Sequence, residues 1–438
     1  MKKLILLLIL IAIVFGSDET RFMPMNVSIW YPLATNSSKY DEVLFNLGIG
    51  GSNYGALHGL DITSIYSRIN GDIGGVAIAG IGLAIDGDMS GFACSGLATI
   101  NGSDALGFSV GGLFTVSGGD ITGASVAGLA SICGSSLQGI STSGLFNIVG
   151  DSAEGAQLGG LFAISGDEFD GMQTSGLFAL NGGEFHGMQA SGGFAISGND
   201  FYGVQTAGCF TITGGKFKGF QASCVNFAGD GLKGMQAGVV NLSGNDMRGF
   251  QAGIANITGE SYGFQAGVVN IAGIQHGLPL GIVNLSSNGD FEFLTYSSNL
   301  TGINIATKFT SNNWYSEVFL GYMNFEKDIN KSLSWGGYFG RHFPINKRMY
   351  IDFDGGYLWL DNDKIFDENG FQKGLDQRAV SLRGKYGIRI NNKFSLFAGG
   401  GMNYVIYAEN RGNVVYDWHW DIKDGKYRPY IFGGISMF

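Results

Sequence analysis

Residues 171–186 read G-M-Q-T-S-G-L-F-A-L-N-G-G-E-F-H, and residues 187–202 repeat the pattern as G-M-Q-A-S-G-G-F-A-I-S-G-N-D-F-Y. The leading glycine recurs at intervals of 16 residues from Gly59 through Gly75, Gly91, Gly107, Gly123, Gly139, Gly155 and Gly171 to Gly219. It continues at Gly234, Gly249, Gly263 and Gly277, where the interval shortens to 15 and then 14. A glutamine stands two places after the glycine at Gln157, Gln173, Gln189, Gln205, Gln221, Gln236, Gln251 and Gln265. An asparagine recurs at Asn226, Asn241, Asn256, Asn270 and Asn284. A fixed period of this kind marks stacked structural repeats. Val, Ile, Phe and Thr are common in the units and strong helix formers are scarce, so each unit is read as β.

Two β architectures use such a period. Each unit is either one coil of a solenoid, with two short strands and two turns, or one long strand of an antiparallel meander. The change from 16 to 15 decides between them. It removes a residue where Q-T-S-G becomes Q-A-G. Inside a strand that loss would turn every later side chain to the opposite face. At a turn it is absorbed. The sequence therefore favours an all-β fold with a β-solenoid of 14–16-residue coils, ahead of one continuous antiparallel meander or barrel. In the solenoid the glycines are expected at tight corners with positive φ. The Gln and Asn columns are expected to form ladders of side-chain amides from coil to coil.

Composition agrees. Glycine supplies 75 of 438 residues, against a usual share of roughly 7%. Collagen is excluded, because the glycines have no period of three and there are only 5 prolines. A disordered linker is excluded by the 45% hydrophobic content.

The chain opens M-K-K-L-I-L-L-L-I-L-I-A-I-V-F-G. Two lysines, an apolar run to Phe15 and small residues at Val14 and Gly16 read as a secretory signal peptide over 1–16. The expected order is then an N-terminal β cap region over 17–58, the repeat solenoid over 59–286 and a barrel over 287–438. Cys94, Cys133, Cys209 and Cys224 have no metal-binding spacing and are read as small buried residues. Pairing of Cys209 with Cys224 across a repeat offset stays open.

Residues 59–286 carry 16 acidic residues and five basic ones, so they hold essentially all of the chain's net charge of −10. Many acids share one repeat position: Asp72, Asp88, Asp104, Asp120, Glu168, Glu184 and Asp200, then Asp246 and Glu260. Stacked carboxylates repel unless screened, which makes the column a weak candidate for cation binding. The column lacks the calcium-repeat pattern and is interrupted by Ser136, Ser152 and Lys216. The simpler expectation is solvated turn acids.

After Ser286 the texture changes. Val380, Leu382, Tyr386, Ile388 and Ile390 alternate with Ser381, Arg383, Lys385 and Arg389. Met349, Ile351, Phe353, Tyr357 and Trp359 alternate with Asp352 and Asp354. Apolar-out, polar-in alternation over about ten residues is the signature of a membrane β-barrel. Eight strands are predicted, over roughly 290–297, 301–310, 314–325, 333–343, 348–360, 377–390, 393–408 and 427–438. Short turns at 311–313, 344–347 and 391–392 alternate with long loops at 326–332, 361–376 and 409–426. The terminal Phe438, with Tyr430 and Phe432 on the same face, is similar to the assembly signal of outer-membrane barrels. Short turns and the C-terminus belong on the periplasmic side, which puts the repeats there as well.

The G-x-Q-x-x-G-L-F-x-I units, the G-x-Q-A-G-V-V-N-I-A-G units and the closing G-L-P-L-G-I-V-N at 277–284 resemble those of bacterial surface-repeat proteins over roughly 40–438. The resemblance implies an exported cell-envelope protein. It also implies surface exposure, at odds with the periplasmic placement, and brings no active site. No nucleophile elbow, zinc-binding helix motif or phosphate loop is present, and His58, His186, His276, His342 and His419 have no metal-ligand spacing. Basic residues are too few for nucleic acid. The function expected is a structural, adhesive or scaffolding role without catalysis and without cofactor, with the barrel in outer-membrane lipid and an envelope or host surface as partner. Two alternatives stand beside it. One is a barrel enzyme acting on envelope lipid, with His342, His419, Ser334 or Asp417 as candidate site residues. The other is a soluble secreted binding protein.

Overall fold

A computed structural model describes residues 20–323, 332–362, 365–366, 372–373, 375–410, 420–422 and 425–438. The predicted signal peptide, His419 and Asp417 lie outside them. All regular structure among the described residues is β. The chain folds as a parallel β-solenoid followed by a closed eight-stranded antiparallel barrel. Two compact units divide at Lys233 and Gly234.

In the first unit, Phe22–Trp30 and Glu42–Tyr54 pair in parallel and open the stack. Each following coil has one strand of seven residues and one of four, as in Phe169–Ser175 and Phe178–Asn181. The next coil lies in parallel register: Phe169 opposes Phe185, Gln173 opposes Gln189 and Phe178 opposes Phe194. The loss of one residue after Gln221 falls at the corner, since Phe210 opposes Val225 and Thr211 opposes Asn226 with the inward side unchanged. This is the behaviour that the shortening predicts for a solenoid.

Inside the coils, Phe169, Phe185, Phe201 and Phe217 are fully buried and stacked, with ring centroids 4.7–5.2 Å apart. Beside them runs the expected amide ladder. Gln173 Nε2 donates to Gln157 Oε1 at 2.9 Å, and Gln189, Gln205 and Gln221 repeat the contact at 2.8 Å. The second unit opens with the same coil. There Gln251 donates to Gln236, and Asn241, Asn256 and Asn270 each donate to the next asparagine at 2.8 Å.

The glycines depart from expectation. The repeat glycine with positive φ, between 119° and 151°, is the third residue of the seven-residue strand and bends that strand. It does not sit at a corner. A Cβ on Gly171 would also press into the carbonyl oxygen of Gly155 in the coil before. Corner glycines such as Gly176 and Gly192 have ordinary φ. They are needed because a Cβ there would meet the backbone of the preceding coil.

From Val76 to Phe227, past the glycine bend, the outward positions of both strands and the corner joining them carry no charge and are mostly apolar, whereas the position before the bend, as at Asp170, is exposed and often charged or polar. The uncharged positions run in columns typified by Met172, Thr174, Leu177, Phe178 and Leu180. Exposed members include Phe108, Leu113, Ile140, Leu161, Met188 and Phe210. Phe146, Phe162, Phe178, Phe194 and Phe210 form a continuous outer stack. Cys209 and Cys224 lie in the corner column and are exposed, contrary to the buried reading; Cys133 is buried, Cys94 is half-buried and all four are free thiols.

The barrel strands are Gly289–Ser298, Ile303–Ser311, Trp314–Met323, Ser332–Pro344, Met349–Asn362, Leu375–Arg389, Phe394–Asn410 and Gly425–Met437. Neighbours pair antiparallel, and the first strand pairs with the last, so no edge is left open. Within this unit the last coil is joined to the short-turn end of the barrel. Asn284 donates to Ser316 Oγ at 3.0 Å, Ser316 Oγ donates to the Ile282 carbonyl at 2.9 Å, and Asn312 donates to the His276 carbonyl at 2.6 Å.

Candidate functional site

The acidic column lies on the turn of each coil, with Ser136, Ser152 and Lys216 in place of an acid in three of them. Its short members cap the backbone. Asp72 accepts the Asp88 N–H at 2.9 Å, Asp104 that of Asp120 at 2.9 Å and Asp200 that of Lys216 at 2.8 Å. One carboxylate oxygen of each is thereby engaged with the next coil. Glu168 and Glu184 continue the column, and their own carbonyls accept from Ala153 and Phe169. Among the described residues no three His, Cys, Asp or Glu side chains converge as a metal site.

The barrel interior holds a second, denser set of charges, placed by strict alternation. Lys308 on the second strand reaches Asp352 at 2.9 Å and Glu292 at 3.2 Å. Arg383 reaches Asp354 through Nε at 2.7 Å and Glu317 through a terminal nitrogen at 3.0 Å. Lys385 bridges Glu317 at 3.3 Å and Asp352 at 3.2 Å. The Tyr315 hydroxyl donates to Asp354 at 2.5 Å, and His342 Nδ1 lies 2.6 Å from Asp352. All of these side chains are buried. Taking such charges out of water is costly, and only mutual pairing makes it tolerable. Nearer the long-loop end, Leu294, Tyr296, Phe319, Tyr338, Phe397, Tyr430 and Phe432 pack together. A charged layer and an aromatic layer thus fill the lumen, as an eight-stranded barrel permits.

Of the candidate catalytic residues, the two that are described lie apart. His342 and Ser334 lie on one strand, eight residues and thus about 26 Å apart at the usual rise. His342 is turned to Asp352, and Ser334 is buried far from it. Sequence reading placed Arg383 and Lys385 on the polar face of one strand and Asp352 and Asp354 on that of another, but missed Lys308, Glu317 and Glu292. Their signal is an isolated charge in the strands of Lys308 and Glu317 and a pair, Asp290 and Glu292, in the first strand, and only strand order reveals the partners.

The outer surface of the barrel is apolar, with Ile305, Leu320, Phe353, Leu382 and Ile431 exposed. Aromatics cluster at both ends. Trp335 and Trp359 meet at 5.0 Å near the long loops, and Trp314 stacks on Phe339 at 5.5 Å near the short turns. Arg378 and Arg341 lie over Trp359 and Trp314. Tyr430 and Phe432 point into the lumen, so the outward residues of the last strand are Ile431, Ile435 and Met437.

No protein-family profile and no curated protein matches this chain. Among solved structures it is similar to Neisserial surface protein A (NspA). The identity is 15%, over 34% of this chain and 93% of that one, with a TM-score of 0.21.

Proposed function

We propose that the protein is anchored in an outer membrane by its C-terminal barrel and presents the repeat solenoid as a rigid, non-catalytic scaffolding or adhesive element of the cell envelope. One observation carries this reading: a closed barrel whose outside is apolar between two aromatic belts and whose inside is filled with paired charges. That polarity suits hydrocarbon outside the barrel. Backbone groups of a closed barrel are satisfied without water, as a lipid environment requires. Short turns of such barrels lie on the periplasmic side. The last coil is bonded to that end, which supports a periplasmic placement of the repeats.

Protease shaving of intact cells, with antibodies to each half, tests anchoring and sidedness together. The expected result is a membrane-extracted protein whose repeats resist protease until the envelope is permeabilised. Recovery of intact protein from culture medium would overturn the anchor; digestion of the repeats on whole cells would reverse the sidedness.

A further inference from the structure

We infer that the solenoid itself is a lipid-contacting element: the apolar corner and its two flanks form a wedge that seats in membrane acyl chains. This rests on the membrane-anchored reading above and extends it to the repeats.

Three observations converge. First, large apolar side chains line the outside of the coil although its interior already buries the Phe169–Phe217 stack, and the inward amide column shares that interior. Gln189 and its ladder partners are fully buried, while Met188, Leu177 and Phe210 on the outside are exposed. Exposed apolar side chains at alternate strand positions are what a lipid-facing strand presents. Second, charge is excluded from the wedge. From Val76 to Phe227, no position in the columns of Met172, Thr174, Leu177, Phe178 and Leu180 carries Asp, Glu, Lys or Arg. The acids lie before the glycine bend, in the turn at Glu168 and its equivalents and at Asp170. Ten coils at about 4.8 Å make a stripe about 45 Å long, far larger than the apolar patches soluble monomers expose. Third, the backbone at the corner needs no water. The Leu177 N–H is bonded to the Leu161 carbonyl at 3.0 Å, and the contact recurs from coil to coil. Such a surface enters hydrocarbon without stranding polar groups.

The second unit carries an exposed corner column of its own at Val239, Ile254, Val268 and Ile282. It leads into the coil bonded to the barrel, whose outer face is the apolar belt. Within the second unit this apolar column and the apolar outside of the barrel are thus joined, which favours lipid over a protein partner as the occupant.

Cys209 is a native reporter on the wedge. The full chain, with Cys94, Cys133 and Cys224 replaced by Ser, is labelled at Cys209 with a polarity-sensitive NBD dye. It is then reconstituted into phosphatidylethanolamine–phosphatidylglycerol vesicles. Labels at Asp170→Cys and Leu382→Cys report the acidic edge and the barrel exterior, and Leu161→Cys repeats the wedge measurement in another coil. Brominated lipid is expected to reduce emission by roughly half at Cys209, Leu161→Cys and Leu382→Cys, and to leave Asp170→Cys unchanged. Quenching at Leu382→Cys with only aqueous iodide quenching at Cys209 and Leu161→Cys would overturn the wedge and leave the barrel reading intact. Lack of lipid quenching at all three would overturn both. Protection of Cys209 from both quenchers, lost on dilution in detergent, would assign the face to a second copy of the chain and overturn the lipid occupant.

Discussion

Two buried polar residues show how much single side chains contribute. Gln189 donates to Gln173 at 2.8 Å and accepts from Gln205 at 2.8 Å, with no exposure to solvent. Gln189→Ala leaves Gln173 Oε1 without its donor, at a cost of about 1–3 kcal/mol, whereas Gln205 Nε2 keeps the Ala195 and Ile212 carbonyls. The expected loss is on the order of 2 kcal/mol in equilibrium denaturation, against little change for replacing exposed Gln138. Asp61 is the second case. It accepts from Asn46, Tyr54, Thr63 and Ser67, yet burial raises its carboxyl above the ordinary range despite those bonds. The folded state therefore holds the proton more tightly than the unfolded one. Stability from this group falls as pH rises from the ordinary carboxylate value through the raised one, and returns on acidification. The difference in melting temperature between the native chain and Asp61→Asn should shift in favour of the native chain as pH is lowered through that window.

At the level of the strand and the coil, the sequence was legible wherever a periodicity had a physical counterpart. The 16-residue glycine spacing became the coil, the Gln and Asn columns became ladders, and the shortening after Gln221 fell at a corner. The alternation around Arg383 and Asp354 became the barrel wall. Conformation within the repeat was less legible. A glycine column does not say whether φ or crowding demands it, and the positive-φ glycine proved to be a strand bend. Pairings of Lys308 with Glu292 and Asp352 depend on which strands become neighbours, which no local pattern encodes. Removal of Ser175 at a corner should leave a cooperatively folding chain with a modest loss. Removal of Met172, inside a strand, should abolish folding of the surrounding coils, since the register inverts. Circular dichroism melts distinguish the two.

Across the whole molecule, the barrel is closed by its own side chains. Arg383 is the central cation, shared by Asp354 and Glu317. Arg383→Ala leaves two buried carboxylates short of charge and should destabilise the barrel by about 3–5 kcal/mol. A lower temperature for conversion of the folded to the unfolded band in gel-shift assays would register this. Planar-bilayer recordings of the native chain should show no stepwise conductance, because aromatic and charged layers occlude the lumen. The stacking of near-identical coils has a further consequence. Each coil contacts only its neighbours, so gaining or losing a whole repeat changes reach in increments of about 4.8 Å while preserving the cross-section. Tandem duplication could therefore tune the length of this protein as one adjusts a ruler, with neither the anchor nor either face of the coil needing to change.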